Sequence, residues 1–252
     1  MWTRAELKHR AKNVLRGNYW KAFLVSLVIV FASEGYGGSS GRSGSEEISS
    51  FVKDVSGDFR IVTILMILLG IVVTVFVLSL VVQFLVLNPL EVGGRRYFIQ
   101  SAQYFDNRRC FRFAFEGRHY LSIVGGMALR GIYLFLWFLL FIIPGIVKSY
   151  AYRMVPYILA DNPNIGARRA IELSNRMTYG HKFDMFILDL SFLGWYLLGA
   201  LCLGIGVFFV KPYEYATEAE LYLTLRENAI ERGYCSLEEL NLYNPFQGEY
   251  NI

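Results

Sequence analysis

The chain has 252 residues, 54% of them apolar, with a mean hydropathy of +0.36 and a formal net charge of only +4. Residues 61–87 form a run of 27 positions without a formal charge, about 40 Å of helix against a hydrocarbon core of about 30 Å. Such a run exceeds what a soluble core helix needs, and three scattered cysteines, Cys110, Cys202 and Cys235, exclude a disulfide framework or a CxxC metal site.

The chain opens with Thr3-Arg4-Ala5-Glu6, the spacing of a capping box, which predicts a helix start. Leu7, Ala11, Val14 and Leu15 then share one face, flanked by a basic stripe of Arg4, Lys8, Lys12 and Arg16. Residues 1–17 therefore read as a basic amphipathic helix, suited to anionic inner-leaflet headgroups or, equally, to packing on its own protein. Residues 19–33 form a short first span opened by Tyr19 and Trp20, aromatics that favour the membrane interface. Basic residues ahead of residues 22–31 also fit a signal peptide, but the junction Gly17-Asn18-Tyr19-Trp20-Lys21 echoes two later junctions and places the segment inside the architecture. A Gly/Ser-rich acidic stretch, 34–59, reads as a flexible outer loop without the features of a phosphate cradle.

The second span, 61–87, leads into Asn88-Pro89, and a later stretch leads into Asn162-Pro163; in both places Asn can cap a helix that begins with Pro. The segments that follow read as basic amphipathic connectors, the second of them carrying Arg168, Glu172 and Arg176 four apart.

Between and beyond the connectors the chain repeats itself. Residues 180–215 align without a gap on 117–152, with ten identities in 36 positions, among them Gly117/Gly180, Gly131/Gly194, Tyr133/Tyr196 and Lys148/Lys211. Each copy runs from a basic junction through a long apolar stretch and a break, Pro144-Gly145 or Gly204-Ile205-Gly206, to Lys-x-Tyr-x-Tyr. If each copy is a hairpin that turns back at its break, the basic segments 4–21, 95–118 and 168–182 all lie on the cytoplasmic side, as the positive-inside tendency requires. The expected fold is all-α: a polytopic membrane bundle of about six embedded helices over residues 1–226, with both termini cytoplasmic and 227–252 a cytoplasmic tail.

That topology places Arg130, Arg153, Glu214 and Glu218 near mid-depth, Asp189 a third of the way in, and Lys148 and Lys211 near the outer side. Ionisable residues inside a bilayer either line a polar path for a substrate, ion or headgroup or pair with one another to fix helix register, and the sequence leaves both open. In the Lys-x-Tyr-x-Tyr pairs Lys would snorkel while Tyr150, Tyr152, Tyr213 and Tyr215 anchor at headgroups, or the two motifs would form a symmetric pair of binding elements. The three histidines are scattered, and no HExxH, Cys/His cluster or Gly-x-Ser-x-Gly is present, so no catalytic, cofactor or metal residues are assigned. Basic residues cluster at membrane boundaries, which points to lipid rather than nucleic acid.

Several strings together resemble a bacterial integral membrane family catalogued as domain of unknown function nine-seven-five: Trp2-Thr3-Arg4, Leu15-Arg16-Gly17-Asn18-Tyr19-Trp20-Lys21-Ala22-Phe23, Asn88-Pro89-Leu90-Glu91-Val92-Gly93, Pro144-Gly145-Ile146-Val147-Lys148-Ser149-Tyr150, Pro156-Tyr157-Ile158-Leu159-Ala160-Asp161-Asn162-Pro163 and Gly180-His181-Lys182. The resemblance covers residues 1 to about 226. It implies a multi-pass protein of the bacterial cytoplasmic membrane with no assigned activity, distantly similar to the membrane domain of some glycerophosphodiester phosphodiesterases, whose catalytic domain has no counterpart here. The leading expectation is a non-enzymatic component that handles or moves a small amphiphile, peptide or lipid, with a membrane protein as a further partner. Against it stand a scaffold or stress/immunity protein and, third, a lipid-modifying enzyme acting near His181 and Asp184.

Overall fold

The computed structural model describes residues 3–33, 59–201 and 206–242, and among these every regular element is helical. The expected outer loop and the last ten residues lie outside that set. In chain order the α-helices are α1 (Arg4–Ser33), α2 (Phe59–Val82), α3 (Asn88–Ala102), α4 (Cys110–Phe115), α5 (Gly117–Leu140), α6 (Ile142–Ala151), α7 (Val155–Asp161), α8 (Ala167–Met177), α9 (Lys182–Leu190), α10 (Leu193–Leu201) and α11 (Gly206–Glu231).

The capping box forms: Thr3 Oγ1 accepts the Glu6 backbone N–H at 3.3 Å. From there α1 buries Leu7, Ala11 and Leu15, then Ala22, Val25 and Ile29, along one continuous face. The partner is α11, laid antiparallel so that Phe23 stacks on Phe209 at 4.9 Å and Lys12 sits 5.8 Å above the Tyr213 ring. Lys8 donates to Ser191 Oγ at 2.7 Å, so part of the basic stripe is engaged by the protein itself.

Helix α2 behaves differently. Residues 62–78 are exposed without interruption although nearly all are apolar, a surface that water does not tolerate and lipid does. At its inner end the ladder loosens into a π-helical segment, Gln83–Leu87, where the Asn88 N–H reaches back to the Gln83 carbonyl. The helix then continues without a break into α3, so Asn88 is an interior residue and not the expected cap. Nor is α3 an amphipathic connector: Glu91 through Arg95 and Tyr97 through Ile99 are all buried, giving the helix core on every side. Gly94 makes this possible, since a Cβ there would lie 2.4 Å from Ile29 Cγ1 of α1.

Helices α5 and α6 form the first hairpin. The chain reverses at Phe141, whose extended backbone (φ −156°, ψ 144°) separates them, three residues before the expected break. Pro144 is accommodated in the first turn of α6, where an amide donor is not needed. At the second break only Gly206 is described, and a Cβ on Gly199 would come within 2.7 Å of the Val207 nitrogen, so α10 and α11 approach at backbone distance. The expected Asn162 cap is present, its side chain accepting the Asn164 N–H at 2.9 Å, but it starts a 3-10 turn, Pro163–Ile165. Gly166 at φ +89° then redirects the chain into α8.

Among the described residues three helical stretches are long and apolar enough to cross a membrane, Val62–Ala102, His119–Leu140 and Lys182–Leu201, with Tyr19–Val30 a shorter apolar stretch. Their exposed apolar side chains, from Ile64 on α2 through Phe135 and Leu139 on α5 to Trp195 and Leu198 on α10, clothe the molecule in the surface of a membrane protein. On the opposite side the chain beyond α11 does not trail away: Arg169 grips Glu239 at 2.6 Å, Asn162 donates to the Glu239 carbonyl at 2.9 Å, and Cys235, Leu240 and Leu242 are buried.

Candidate functional site

Glu218 is the hub of the interior. It sits on α11 with 6% of its surface exposed, and both of its oxygens are taken. Arg95 of α3 donates to Oε2 at 2.6 Å, Tyr157 of α7 donates to the same oxygen at 3.0 Å, and Arg153, from the turn after α6, donates to Oε1. Arg153 also donates to Asp189 Oδ2 of α9 at 2.7 Å, where Tyr150 adds a second hydrogen bond at 2.9 Å. One turn before Arg95, Glu91 pairs with its guanidinium at 3.4 Å. Five charged groups from four parts of the chain therefore share one connected set of charge-assisted hydrogen bonds, the strongest kind available in a low-dielectric interior. Arg95 in addition lies 4.4 Å from the Tyr215 ring centroid.

A second polar knot adjoins the first. Tyr157 stacks on Tyr222 at 5.3 Å, and Asp161 accepts from Tyr222 at 2.7 Å and from Arg226 at 2.9 Å. Both knots join α11 to the α7 region, so together they fix the register of the last long helix against the rest of the bundle.

The residues singled out from sequence do not all meet in one place. Arg153, Asp189 and Glu218 meet as described; Glu214 pairs with Lys211 at 3.4 Å and accepts from Tyr196. Lys148 stands apart, 4.9 Å over the Trp137 ring and 5.7 Å over Tyr152. Lys211 has the equivalent relation to Tyr215 at 5.6 Å. At an offset of 63 residues Arg130, Arg153, Asp189, Glu214 and Glu218 correspond to Leu193, Ala216, Gly126, Ala151 and Val155, so none of these five charges has a charged counterpart. Among the expected interface anchors, Trp20 is exposed, whereas Tyr152 and Tyr215 are buried at 6% and 3% exposure and cannot reach a headgroup. Tyr19 donates to the Phe209 carbonyl at 2.9 Å, Tyr150 serves Asp189, and Tyr213 meets Phe192 edge-on at 5.3 Å.

Arg130 takes no part in these pairings. Its Nε is buried without an acceptor, and it borders a cavity of about 430 Å3 between the π segment, α3 and α5. Its lining combines the polar side chains of Gln83, Asn88, Glu91, Arg95 and Arg130 with the apolar Phe84, Met127 and Leu134 and with Gly131. Its size falls in the range of sites that take small molecules. Among the described residues no group of three His, Cys, Asp or Glu is arranged to hold a metal ion. Sequence reasoning missed Glu91, Arg95 and Tyr157. The usable signal was Gly93-Gly94 flanked by Val92 and Phe98, a small-residue pair between apolar neighbours that marks a close helix contact and hence burial of the polar residues beside it.

Residues 121–229 match the model of a family described as Protein of unknown function (DUF975). The match supports membership of that family. The family's matched segment contains Arg130, Arg153, Tyr157, Asp189 and Glu218 but begins after Glu91 and Arg95, so the α3 side of the site lies outside it. No curated protein and no solved structure matches the chain, and the similarity to glycerophosphodiester phosphodiesterase membrane domains rests on the sequence resemblance alone.

Proposed function

We propose that the chain is a non-enzymatic component of the bacterial cytoplasmic membrane that takes up a small amphiphile, a lipid or an apolar peptide. The observation that supports this reading is the cavity, which brings together ionisable and apolar side chains at the end of a helix whose residues 62–78 are exposed among the described residues. In this reading the three long apolar stretches, the shorter one in α1, the return helix α6 and the start of α11 are the six embedded segments, and α6 and α11 are the returning arms of duplicated hairpins. Exposed Arg168 and Arg176 on α8 then face the cytoplasm, beside the anionic inner leaflet.

A scaffold role draws on a different observation: Arg153 bridges Asp189 and Glu218, as a register-setting network does. Two experiments separate and test these readings. Cysteine introduced at Arg168 in a cysteine-free background is expected to react with a membrane-impermeant maleimide only in inverted vesicles; reaction in intact cells overturns the topology. Native mass spectrometry of protein extracted in a maltoside is expected to show a retained lipid-sized adduct that Gly131→Trp, which fills the cavity, removes without lowering thermal stability by more than a few degrees. A wild-type protein that carries no adduct, and takes up none from added lipid, leaves only the scaffold reading.

A further inference from the structure

We infer that Arg130 is the charge partner for a singly charged anionic group carried on an alkyl chain, a phosphodiester or carboxylate head drawn from the bilayer into the cavity beside α3. This rests on the amphiphile reading above and specifies its ligand. A guanidinium offers five N–H donors in a fixed fork and does not deprotonate, so one that is kept from water normally has a carboxylate against it. Arg95, Arg153, Arg169 and Arg226 each have one within 3.4 Å. Arg130 has neither hydrogen bond nor ion pair among the described residues, and its Nε is shielded.

The acids of the neighbouring cluster bond to other donors and none bonds to Arg130. Both oxygens of Glu218 and Oδ2 of Asp189 are committed to other donors, and Glu91 pairs with Arg95. Arg130 borders the cavity, and among the described residues no acceptor bonds to it, so a ligand in the cavity can supply one.

The cavity sets the rest of the ligand. Beyond Arg130 the wall is Phe84, Met127 and Leu134, suited to the first methylenes of a chain. Leu85 and Val86 of the π segment are 42% and 44% exposed on the lipid-clothed exterior, which puts the cavity next to bilayer rather than deep in the core. At Gly131 the nearest atom to an added Cβ is Phe84 Cε1 at 3.8 Å, so the two helices leave a gap there. Glu91, Glu218 and Asp189 all pair with Arg95 and Arg153, so Arg130 alone is left to match one negative charge and a second would have no partner, which favours the singly charged head.

The test uses the full chain in maltoside micelles and compares lysophosphatidylglycerol, a monoanionic diester, with lysophosphatidylcholine of the same chain length, whose head is zwitterionic, and with chain-free dimethyl phosphate. Binding is read by native mass spectrometry at matched concentrations. The wild type is expected to prefer the anionic lysolipid about tenfold; Arg130→Gln is expected to abolish the preference while still binding both lysolipids, and Arg130→Lys to keep part of it. Thermal unfolding of Arg130→Gln no lower than wild type is expected, because no internal partner is lost. Equal wild-type binding of both lysolipids, with Gly131→Trp removing both, overturns the inference and leaves the amphiphile reading standing. No binding of either overturns both. Dimethyl phosphate competing as well as the lysolipid overturns the chain-bearing ligand. If Arg130→Gln fails to fold, Arg130 is structural and the inference falls unless the lysine variant folds with a reduced preference.

Discussion

Replacing Glu218 by Gln separates a structural network from a decorative one. The carboxylate is 6% exposed and accepts from Arg95, Arg153 and Tyr157 at once, so the amide leaves two arginines without the charge that held them. Breaking a buried pair from one side costs about 3–5 kcal/mol because the surviving charge stays desolvated. For a chain of this size each kcal/mol lowers Tm by about 2–4 °C, so a fall of roughly 6–20 °C is expected. Asp189 provides the internal control. It holds one arginine and one tyrosine, and its side chain is 31% exposed, so Asp189→Asn should cost only about 1–2 kcal/mol. Both are read by thermal unfolding in maltoside micelles followed by circular dichroism. Equal losses for the two variants, or a loss below about 1 kcal/mol for Glu218→Gln, would refute the assignment of Glu218 as hub.

Other expectations follow from packing and titration. In α5, Gly125→Ala meets nothing within 4 Å and should be neutral or stabilise by up to about 1 kcal/mol through helix propensity, whereas Gly126→Ala places its Cβ 2.8 Å from Leu159 Cδ1 and should cost about 1–3 kcal/mol; equal Tm values for the two variants contradict the helix contact. The Arg169 guanidinium, hydrogen-bonded to Glu239, holds that carboxyl below its usual value of 4.5. Its stabilisation is complete above the unfolded pKa and fades as pH falls through the lower native value, so a Tm deficit of Glu239→Gln equivalent to at most about 1 kcal/mol at pH 7 should shrink progressively as the pH is lowered below the unfolded value. Burial pushes the Cys110 thiol up to about 12 and the Cys235 thiol up to about 11. In a Cys202→Ser background, maleimide at pH 8 should therefore label the chain only after denaturation, and rapid labelling of folded protein contradicts their burial.

Much of this arrangement was legible in the residues. The charge-free run at 61–87, the capping box at Thr3 and the charged residues Arg153, Asp189 and Glu218 all stood out, because hydropathy and burial cost act locally and leave a local trace. The α3 region was misread for a physical reason: Pro89 at a first-turn position and the pair Glu91 and Arg95 are what a solvated connector also shows. What distinguishes the two is the company of Ile29, Tyr157 and Glu218, which the chain brings together over long separations. Tyr152 and Tyr215 were misplaced for the same reason, since an aromatic near a basic residue suits a headgroup layer and a packed interior alike. Arg130 was legible as a charge in an apolar helix, but nothing in the sequence separated it from Arg153.

The order of synthesis gives the Glu218 hub a further meaning. Arg95 and Glu218 are 123 residues apart, so a ribosome adding about 5–20 residues per second leaves the arginine waiting for roughly 6–25 s before Glu218 exists. Throughout that interval the guanidinium lacks the Glu218 carboxylate that it donates to in the finished fold, and Glu91 on its own helix is the acid within reach. Nascent chains truncated before α11 are accordingly the species on which a membrane quality-control protease has the most to grasp.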